Sequence, residues 1–168
     1  MILPQRALEY AMKAHEGQVR KYTLEPYIVH PIAVALILQQ HYPQATEHMI
    51  SAALLHDVIE DTDTTIEDLG CFSLDVTLLV QGLTDVSKPE DGNRRLRKKI
   101  DCEHMARQSF CTQIIKCADL IHNTSSIVAH SPIFARTYIP EARNILEAMR
   151  VDVSNTDIWN FAYNQLLI

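Results

Sequence analysis

The residue types best suited to chemistry in this chain lie in the segment AALLHDVIEDT, residues 52–62. Its apolar run is interrupted by the pair His56-Asp57 and then, one helical turn later, by the pair Glu60-Asp61. Because residues four apart share a helix face, a continuous helix would align the first pair with the second. Burial of so many ionisable groups is costly unless a cation compensates them, and a metal ion does so well. The segment therefore predicts the floor of a metal-dependent hydrolase site.

Two further residues complete a candidate set of metal ligands. His30 precedes a proline in the segment YIVHPI, and Asp119 lies in the segment IKCADL. The neighbours of both residues are mainly apolar, so we expect both side chains to point inward. Two imidazoles and two carboxylates form a mixed nitrogen and oxygen set that suits Mn²⁺, Fe²⁺ or Zn²⁺. Without cysteine ligands, the set is more typical of a catalytic site than of a structural one.

Each of these residues also has a simpler explanation when it is taken alone. A histidine before a proline is often a capping or hydrogen-bonded residue, and Asp119 could pair with Lys116 one turn earlier. A lone His-Asp dipeptide is close to chance in a chain with 8 histidines. The order His, His-Asp, Asp along the chain favours metal binding over these separate explanations.

The elements that must position these residues are predicted to be helices. Apolar residues recur at helical spacing, and no convincing alternating strand pattern occurs. The longer predicted helices cover about residues 4–17, a stretch opening at 31, 45–59, 74–83, a stretch opening at 94, 110–128, 133–149 and 156–167. A capping box over residues 64–67 predicts a short helix, and Ser73 is a predicted cap. We therefore expect one all-α domain over residues 1–168.

Composition and charge limit the classes of function. With 168 residues, 47% hydrophobic and 21% charged, the chain is typical of a single globular domain. Its formal net charge of −6 argues against broad binding to nucleic acid or to an anionic membrane. No apolar run approaches the roughly twenty residues that span a bilayer. The 4 cysteines lack disulfide-rich or zinc-ribbon spacing, so we expect free thiols and a cytoplasmic protein.

The order of these residues resembles the HD-domain superfamily of metal-dependent phosphohydrolases. Five segments are similar, more narrowly, to the hydrolase domain of the RelA/SpoT alarmone enzymes. They are AHEGQ at 14–18, RKYT at 20–23, EPYIVHPI at 25–32, residues 52–62, and IKCADLIHN at 115–123. The resemblance spans most of residues 6–126 and implies a single compact HD-domain helical fold. It also implies a small stand-alone alarmone hydrolase whose partner is a small-molecule nucleotide.

The resemblance assigns an activity and residue roles. Members of the family remove the 3′-pyrophosphate from guanosine 3′,5′-bis(diphosphate), or from its pentaphosphate form, and release GDP or GTP and pyrophosphate. Their metal is usually Mn²⁺, although other divalent transition metals would suit the same ligands. The residues that match the metal ligands are His30, His56, Asp57 and Asp119. The matching catalytic pair is Glu60 and Asp61, and the matching substrate contacts are Arg20, Lys21, Asn123 and Ser126.

Chemistry agrees with these roles and leaves alternatives open. Glu60 can orient or deprotonate a water or protonate the leaving ribose oxygen, and the sequence does not separate acid from base. Asp61 has a simpler explanation as part of a segment that ends one helix and caps the next. Arg20 suits both stacking on a base and bidentate bonding to phosphate, although alone it would be an ordinary surface charge. We expect His15 to be a hydrogen-bonded core histidine.

Two stretches of the chain depart from the family pattern, and one basic run has two possible functions. Leu24 stands where relatives commonly have glycine, so the path of its loop is open, and residues 124–126 read Thr-Ser-Ser instead of Met-Arg-Thr. We therefore keep two alternatives, a phosphohydrolase for another nucleotide (an adenosine alarmone or a phosphorylated dinucleotide) and a non-catalytic nucleotide sensor. The run RRLRKK at 94–99 is either a solvated helix face or a cationic rim that attracts phosphates.

Overall fold

Ten α-helices contain most of the residues 2–167 that are described by a computed structural model of the protein. They are α1 (Leu3–Ala14), α2 (Val29–His41), α3 (Glu47–Leu55), α4 (Val58–Asp61), α5 (Leu74–Leu83), α6 (Arg94–Ala106), α7 (Phe110–His130), α8 (Pro132–Ala148), α9 (Val151–Ser154) and α10 (Asp157–Asn164). Two short 3₁₀ segments cover Asp68–Cys71 and Pro89–Asp91. The described residues form no strand, only an isolated bridge between Val19 and Pro26. The all-α prediction is confirmed.

Side-chain caps explain where several helices begin. The residues whose side-chain oxygens accept a hydrogen bond from the backbone N–H three positions later are Thr46, Ser73, Asn93, Ser109 and Thr156. The predicted Ser73 cap is therefore confirmed, and α5 has the predicted bounds.

The predicted capping box over residues 64–67 is displaced by one residue. Thr65 N–H donates to Asp68 Oδ2 (2.8 Å), and Asp68 N–H donates back to Thr65 Oγ1 (3.4 Å). The hydroxyl and N–H of Thr64 are instead hydrogen-bonded to Thr62. The box precedes a 3₁₀ segment, whereas the sequence predicts a short helix.

The predicted helix over residues 45–59 is wrong at its C-terminal end. Helix α3 ends at Leu55, and α4 begins at Val58 after a break at His56 and Asp57. The His56 Nδ1 lies 2.8 Å from the Ala53 carbonyl oxygen. A side chain that uses a nearby carbonyl in this way competes with the helical hydrogen bonds of the backbone. The break is local: His56 keeps helical backbone angles (φ −59°, ψ −31°), whereas Asp57 departs from them (φ −97°, ψ −5°).

Helix α7 lies at the centre of the packing and carries a long buried face that includes Ile114, Ile115, Ala118 and Ile121. Helices α2, α5, α8 and α10 pack against it, and α3 packs against α1, α2 and α5. Consequently the start of α2, the break after α3 and the middle of α7 meet inside the fold. Among the helices described, none is both long and apolar enough to cross a membrane.

Candidate metal centre and active site

Three separate parts of the fold deliver the four predicted metal ligands to one place. His30 is the second residue of α2, His56 and Asp57 form the break between α3 and α4, and Asp119 lies in the middle of α7. His30, His56 and Asp119 are buried, with residue exposures of 1%, 3% and 4%. Their convergence follows from the packing of α2 and α3 against α7.

The donor atoms of these residues face one another at the distances expected around a single ion. His30 Nε2 lies 3.2 Å from His56 Nε2, 3.4 Å from Asp57 Oδ2 and 3.2 Å from Asp119 Oδ1. His56 Nε2 lies 3.2 Å from Asp57 Oδ1 and 3.6 Å from Asp119 Oδ1. Ligands about 2.1 Å from one ion at tetrahedral or octahedral angles are roughly 3.0–3.4 Å apart. His30, His56 and Asp57 form a group that could hold a divalent metal ion, and Asp119 Oδ1 lies within 3.6 Å of both imidazole Nε2 atoms.

Hydrogen bonds behind the cluster orient both imidazole rings. The Ala53 carbonyl can only accept, so His56 Nδ1 carries the proton of their 2.8 Å bond. His30 Nδ1 lies 2.7 Å from His122 Nδ1. Burial, followed by the nearby His30, lowers the pKa of His122 to about 4, so His122 is neutral and can accept from His30. Both rings thus turn Nε2 toward the carboxylates, as metal-binding histidines do.

The charge of the carboxylates favours a cation at this point. Burial lowers the pKa of the His56 ring, but the charge of Asp57 and hydrogen bonding to Asp119 outweigh it and raise that pKa well above its ordinary value. Burial raises the pKa of Asp119, but Lys116 and the two histidines outweigh it and hold that pKa well below its usual range. Burial also raises the pKa of Asp57, but the charge of His56 outweighs it and lowers that pKa. The carboxyl groups of Asp57 and Asp119 are therefore ionised, and they attract positive charge to the cluster.

The Lys116–Asp119 ion pair, which the sequence offers as an alternative to metal binding, is also present. Lys116 Nζ lies 2.8 Å from Asp119 Oδ2. The other oxygen, Oδ1, faces the two histidines and accepts a 2.6 Å hydrogen bond from Asn123 Nδ2. Because the two carboxylate oxygens point in different directions, the ion pair and a place in the metal cluster are compatible.

Glu60 and Asp61 lie on α4 and line a cavity of about 310 Å³ together with the four residues of the cluster. Glu60 Oε1 accepts a 2.6 Å hydrogen bond from Asp85 N–H. Although Glu60 is exposed as a residue, the partial burial of its carboxyl group and the charge of Asp85 raise its pKa to about 7. Such a group can take up or release a proton near neutral pH.

Tyr27 connects the cluster to Asp61 and is not among the predicted site residues. Its hydroxyl lies 2.7 Å from Asp57 Oδ2 and 2.6 Å from Asp61 Oδ2. Its ring is stacked on His15, with ring centroids 4.7 Å apart, and the Arg20 guanidinium lies 5.5 Å from the ring centroid. In the sequence, the indication that Tyr27 belongs to the site is its position three residues before the candidate ligand His30. His15 is buried and its Nδ1 is bonded to Gln18, but its Nε2 has no hydrogen-bond partner among the described residues, so the expected hydrogen-bonded core histidine is met at one ring nitrogen only.

Comparison with known proteins decides the family. Residues 7–145 match the sequence profile described as the HD domain. This chain belongs to the HD domain family. It is 38% identical over 127 residues to the guanosine-3′,5′-bis(diphosphate) 3′-pyrophosphohydrolase MESH1 of Drosophila melanogaster, covering 74% of this chain and 69% of that protein. It is 35% identical over 130 residues to MESH1 of Danio rerio, with the same coverage of 74% and 69%.

A solved structure gives the same relationship at the level of the fold. It shows a metazoan ortholog of SpoT that hydrolyses ppGpp and plays a role in starvation responses. The TM-score is 0.85 at 28% sequence identity, and the match covers 99% of this chain and 94% of that one. The chain is thus a MESH1-like HD domain that is homologous to the SpoT hydrolase domain.

Three of the four predicted substrate contacts lie around the cavities of this HD domain. Arg20 and Asn123 line the 310 Å³ cavity and are joined by a 3.1 Å hydrogen bond from Arg20 Nη2 to Asn123 Oδ1. Arg20 also lines a second cavity of about 250 Å³, where Ser126 and His122 are found. Lys21 lines neither cavity; its Nζ lies 5.5 Å from the centroid of the Tyr22 ring.

The basic run at the start of α6 divides between two surfaces. Arg94 and Lys98 line the HD-domain cavity, where Arg94 pairs with Glu141 (2.8 Å) and Lys98 pairs with Asp85 (2.8 Å). Arg95 and Lys99 line only the neighbouring groove between α6 and α8. Arg94 and Lys98 thus line the cavity, as a cationic rim requires. Both are already paired with carboxylates.

The loop that carries Arg20 keeps a conformation that favours glycine. Leu24 has a φ of 59°, in the left-handed region. Its N–H donates to the Arg20 carbonyl (3.0 Å), and the Arg20 N–H donates to the Glu25 carbonyl (2.8 Å). The loop path that the sequence leaves open is therefore a tight turn, formed here with leucine at the left-handed position.

Proposed function

We propose that this chain hydrolyses the 3′-pyrophosphate of guanosine 3′,5′-bis(diphosphate), or of its pentaphosphate form, to GDP or GTP and pyrophosphate. The two MESH1 relatives, at 38% and 35% identity, are named for this reaction. The observation that carries the proposal is the convergence of His30, His56 and Asp57 in one cavity with Glu60. This arrangement places a candidate metal centre beside a carboxyl group that can exchange a proton near neutral pH.

We propose that the resident metal is Mn²⁺, with other divalent transition metals as alternatives. Its proposed ligands are His30, His56, Asp57 and Asp119. When bound, the ion supplies Lewis-acid polarisation of a phosphoryl oxygen and offsets the negative charge that develops there. Asn123 and Lys116 hold the Asp119 carboxylate in place through bonds of 2.6 Å and 2.8 Å.

Glu60 is the proposed proton carrier. Attack of water on the phosphorus bound to the ribose breaks the bond between that phosphorus and the 3′-oxygen. One proton leaves the water, and one proton reaches the 3′-oxygen. With a pKa of about 7, Glu60 can accept the first or donate the second. The Asp85 N–H orients the Glu60 carboxylate. We propose that Asp61, bonded to the Tyr27 hydroxyl, orders the water molecules around the attacking water.

The two cavities that Arg20 lines suggest how the nucleotide lies. We propose that the phosphates occupy the 310 Å³ cavity and that the base occupies the 250 Å³ cavity, where Ser126 contacts it. Arg20 lines both, so its planar guanidinium can stack on the base and bond to a phosphate oxygen. Asn123 holds Arg20 in this position. Lys21 is proposed to contact phosphate oxygens that extend past the cavity.

A second candidate is the same hydrolysis of another nucleotide, such as an adenosine alarmone or a phosphorylated dinucleotide. The observation that favours it is the lining of the 250 Å³ cavity by Ser125 and Ser126, from the segment that departs from the family pattern. Two hydroxyl groups can donate and accept hydrogen bonds, so they do not select one purine by charge or size.

A substrate panel tests these proposals. The Mn²⁺-loaded protein is incubated with guanine and adenine alarmones, a phosphorylated dinucleotide and ordinary nucleotides, and released pyrophosphate and phosphate are measured separately. The proposal expects equal amounts of GDP and pyrophosphate from guanosine 3′,5′-bis(diphosphate), at a higher rate than from the adenine compound. A higher rate on the adenine alarmone would favour the second candidate. Phosphate without pyrophosphate would overturn both, and no turnover of any compound would leave a nucleotide sensor.

We also propose a domain extent and a location. Helices α8 and α10 pack against α7, which supports one HD hydrolase domain over residues 1–168. The cysteines Cys71, Cys102, Cys111 and Cys117 are all free. Free thiols fit a reducing compartment, so we propose that the protein is cytoplasmic.

A further inference from the structure

The loop between α5 and α6 reaches the active-site cavity through Asp85, which contacts Glu60. Asp85 in this loop lines the cavity, and its N–H donates the 2.6 Å hydrogen bond to Glu60 Oε1. Among the hydrogen bonds of residues 2–167, it is the one that the Glu60 carboxylate receives. The direction in which this carboxylate points therefore depends on where the loop holds the Asp85 amide.

A buried carboxylate outside the cavity holds this loop. Asp101 lies on α6 and is 5% exposed. Its Oδ1 accepts from the N–H groups of Val86 (3.1 Å) and Ser87 (2.9 Å), and its Oδ2 accepts from the Ser87 hydroxyl (2.8 Å). Hydrogen bonds to an ionised acceptor are about twice as strong as neutral ones. Asp101 thus holds the two residues that directly follow Asp85.

Apart from Asp101, the loop is held at this point through the Asp85 carboxylate, which pairs with Lys98 and is attracted by the charge of Lys116. Val86 is 44% exposed as a residue, so it anchors the loop poorly through apolar burial. Lys98 Nζ lies 2.8 Å from Asp85 Oδ2 and 3.7 Å from Asp101 Oδ2, and the Lys98 side chain is 34% exposed. A partly buried lysine that pairs with the Asp85 carboxylate fixes the neighbouring backbone amides less directly than three short bonds from those residues to a buried carboxylate.

We propose that Asp101 is a positioning residue for the reaction. By holding the two amides that follow Asp85, it fixes the Asp85 N–H against Glu60 and so aims the Glu60 carboxylate at the substrate. The proposal rests on the proposed catalytic role of Glu60. A displacement of about 1 Å at such a group lowers the rate by roughly 10²-fold, so the loss of this anchor reaches the chemical step.

Two substitutions at the same position test the proposal in the Mn²⁺-loaded protein. Asp101→Ala removes all three bonds, and we expect kcat for the guanine alarmone to fall about 10–100-fold with KM changed less than about 3-fold. Asp101→Asn keeps one oxygen that can accept from both amides, so it should stay within about 5-fold of wild type. An unchanged kcat in Asp101→Ala, or an equal loss in both variants, would overturn the proposal.

Gln113→Ala is the matched control for a loss of stability alone. Gln113 is fully buried on α7, donates to the Met105 carbonyl (2.8 Å), accepts from Arg150 N–H (3.0 Å), and lines neither cavity. It should lower the urea midpoint as Asp101→Ala does while kcat stays near wild type. A kcat loss in Gln113→Ala as large as that in Asp101→Ala would assign the effect to general destabilisation.

A double-mutant cycle shows whether Asp101 acts through Glu60. In single-turnover measurements, Asp101→Ala should lower the rate no further once Glu60→Gln is present, whereas independent effects would multiply and contradict the proposal. If Asp101→Ala does not fold, Ser87→Ala removes one of the three bonds and should lower kcat about 2–5-fold; no change would overturn the proposal. Absence of turnover by the wild-type protein would instead mark failure of the proposed function, and with it of this role.

Discussion

Replacement of Lys116 by methionine should destabilise the protein by about 3–5 kcal/mol. Lys116 Nζ lies 2.8 Å from Asp119 Oδ2, and the two side chains are 17% and 6% exposed. At an effective dielectric constant of about 20, two unit charges at this distance attract by roughly 6 kcal/mol, part of which offsets the cost of desolvating them. Methionine fills a similar volume but leaves the buried Asp119 carboxylate without its cation. The free energy of unfolding should fall accordingly.

Urea unfolding in a chelating buffer measures this difference, and the chain supplies a matched control. Lys99 also pairs with a carboxylate on its own helix, Glu103, but at 3.8 Å and with side-chain exposures of 71% and 55%. Exposed pairs contribute about 0.2–1 kcal/mol, so Lys99→Met should change stability by less than about 1 kcal/mol. If Lys116→Met is no more destabilising than Lys99→Met, the buried charge of Asp119 is not compensated by Lys116.

The same comparison has a pH dependence of known sign. The pKa of Asp119 lies well below its ordinary value of 3.8 in the folded protein. A carboxyl group with a lowered folded-state pKa stabilises the protein above its unfolded-state pKa, and this stabilisation is lost as the pH falls through the folded-state pKa. The gap between wild type and Lys116→Met should therefore be full at neutral pH and shrink in acid. A gap that widens in acid would refute the assignment.

Three further substitutions have separable outcomes. Glu60→Gln should retain metal and the bond from Asp85 N–H yet lower kcat about 10²–10⁴-fold in single-turnover assays; near wild-type turnover would exclude a proton-carrying role. Leu24→Gly should raise the free energy of unfolding, measured in urea, by about 0.5–1 kcal/mol. A φ of 59° costs a non-glycine residue about 1–2 kcal/mol, and glycine loses part of that gain as backbone entropy. Lower stability of the variant would contradict this. Arg20→Lys should raise KM roughly 10-fold with little change in kcat, because lysine cannot reproduce the planar contact or the bond to Asn123. An unchanged KM would show that Arg20 does not contact the substrate.

Most of the helices could be predicted from local pattern, whereas the four candidate metal ligands are predicted from their order along the whole chain. Ser73 and the apolar spacing after it are enough to place α5, because a cap and a helical face are properties of adjacent residues. The break at His56 and Asp57 could not be predicted in this way. It depends on a side chain that takes the Ala53 carbonyl, and hydrophobic periodicity carries no information on such a competition.

The residues that hold the site residues in place could not be predicted from the sequence, for a different reason. Tyr27 contacts Asp57 and Asp61 across 30 and 34 positions of sequence, and Asp85 contacts Glu60 across 25. Asp101 reads in the sequence as one more charge on a basic helix. Such partners are determined by how helices pack and where loops cross, so they become visible only in the folded chain.

Product analysis of metal-stripped protein reconstituted with Mn²⁺ tests most directly whether His56 and Asp57 hold a catalytic metal. Wild type and Asp57→Ala are compared for bound metal and for the products of guanosine 3′,5′-bis(diphosphate). Wild type should retain Mn²⁺ and release GDP and pyrophosphate in equal amounts, whereas Asp57→Ala should retain no metal and release neither product. Full metal retention and wild-type turnover by Asp57→Ala, or metal-loaded wild type that releases no pyrophosphate, would contradict the metal-dependent hydrolysis proposed for this site.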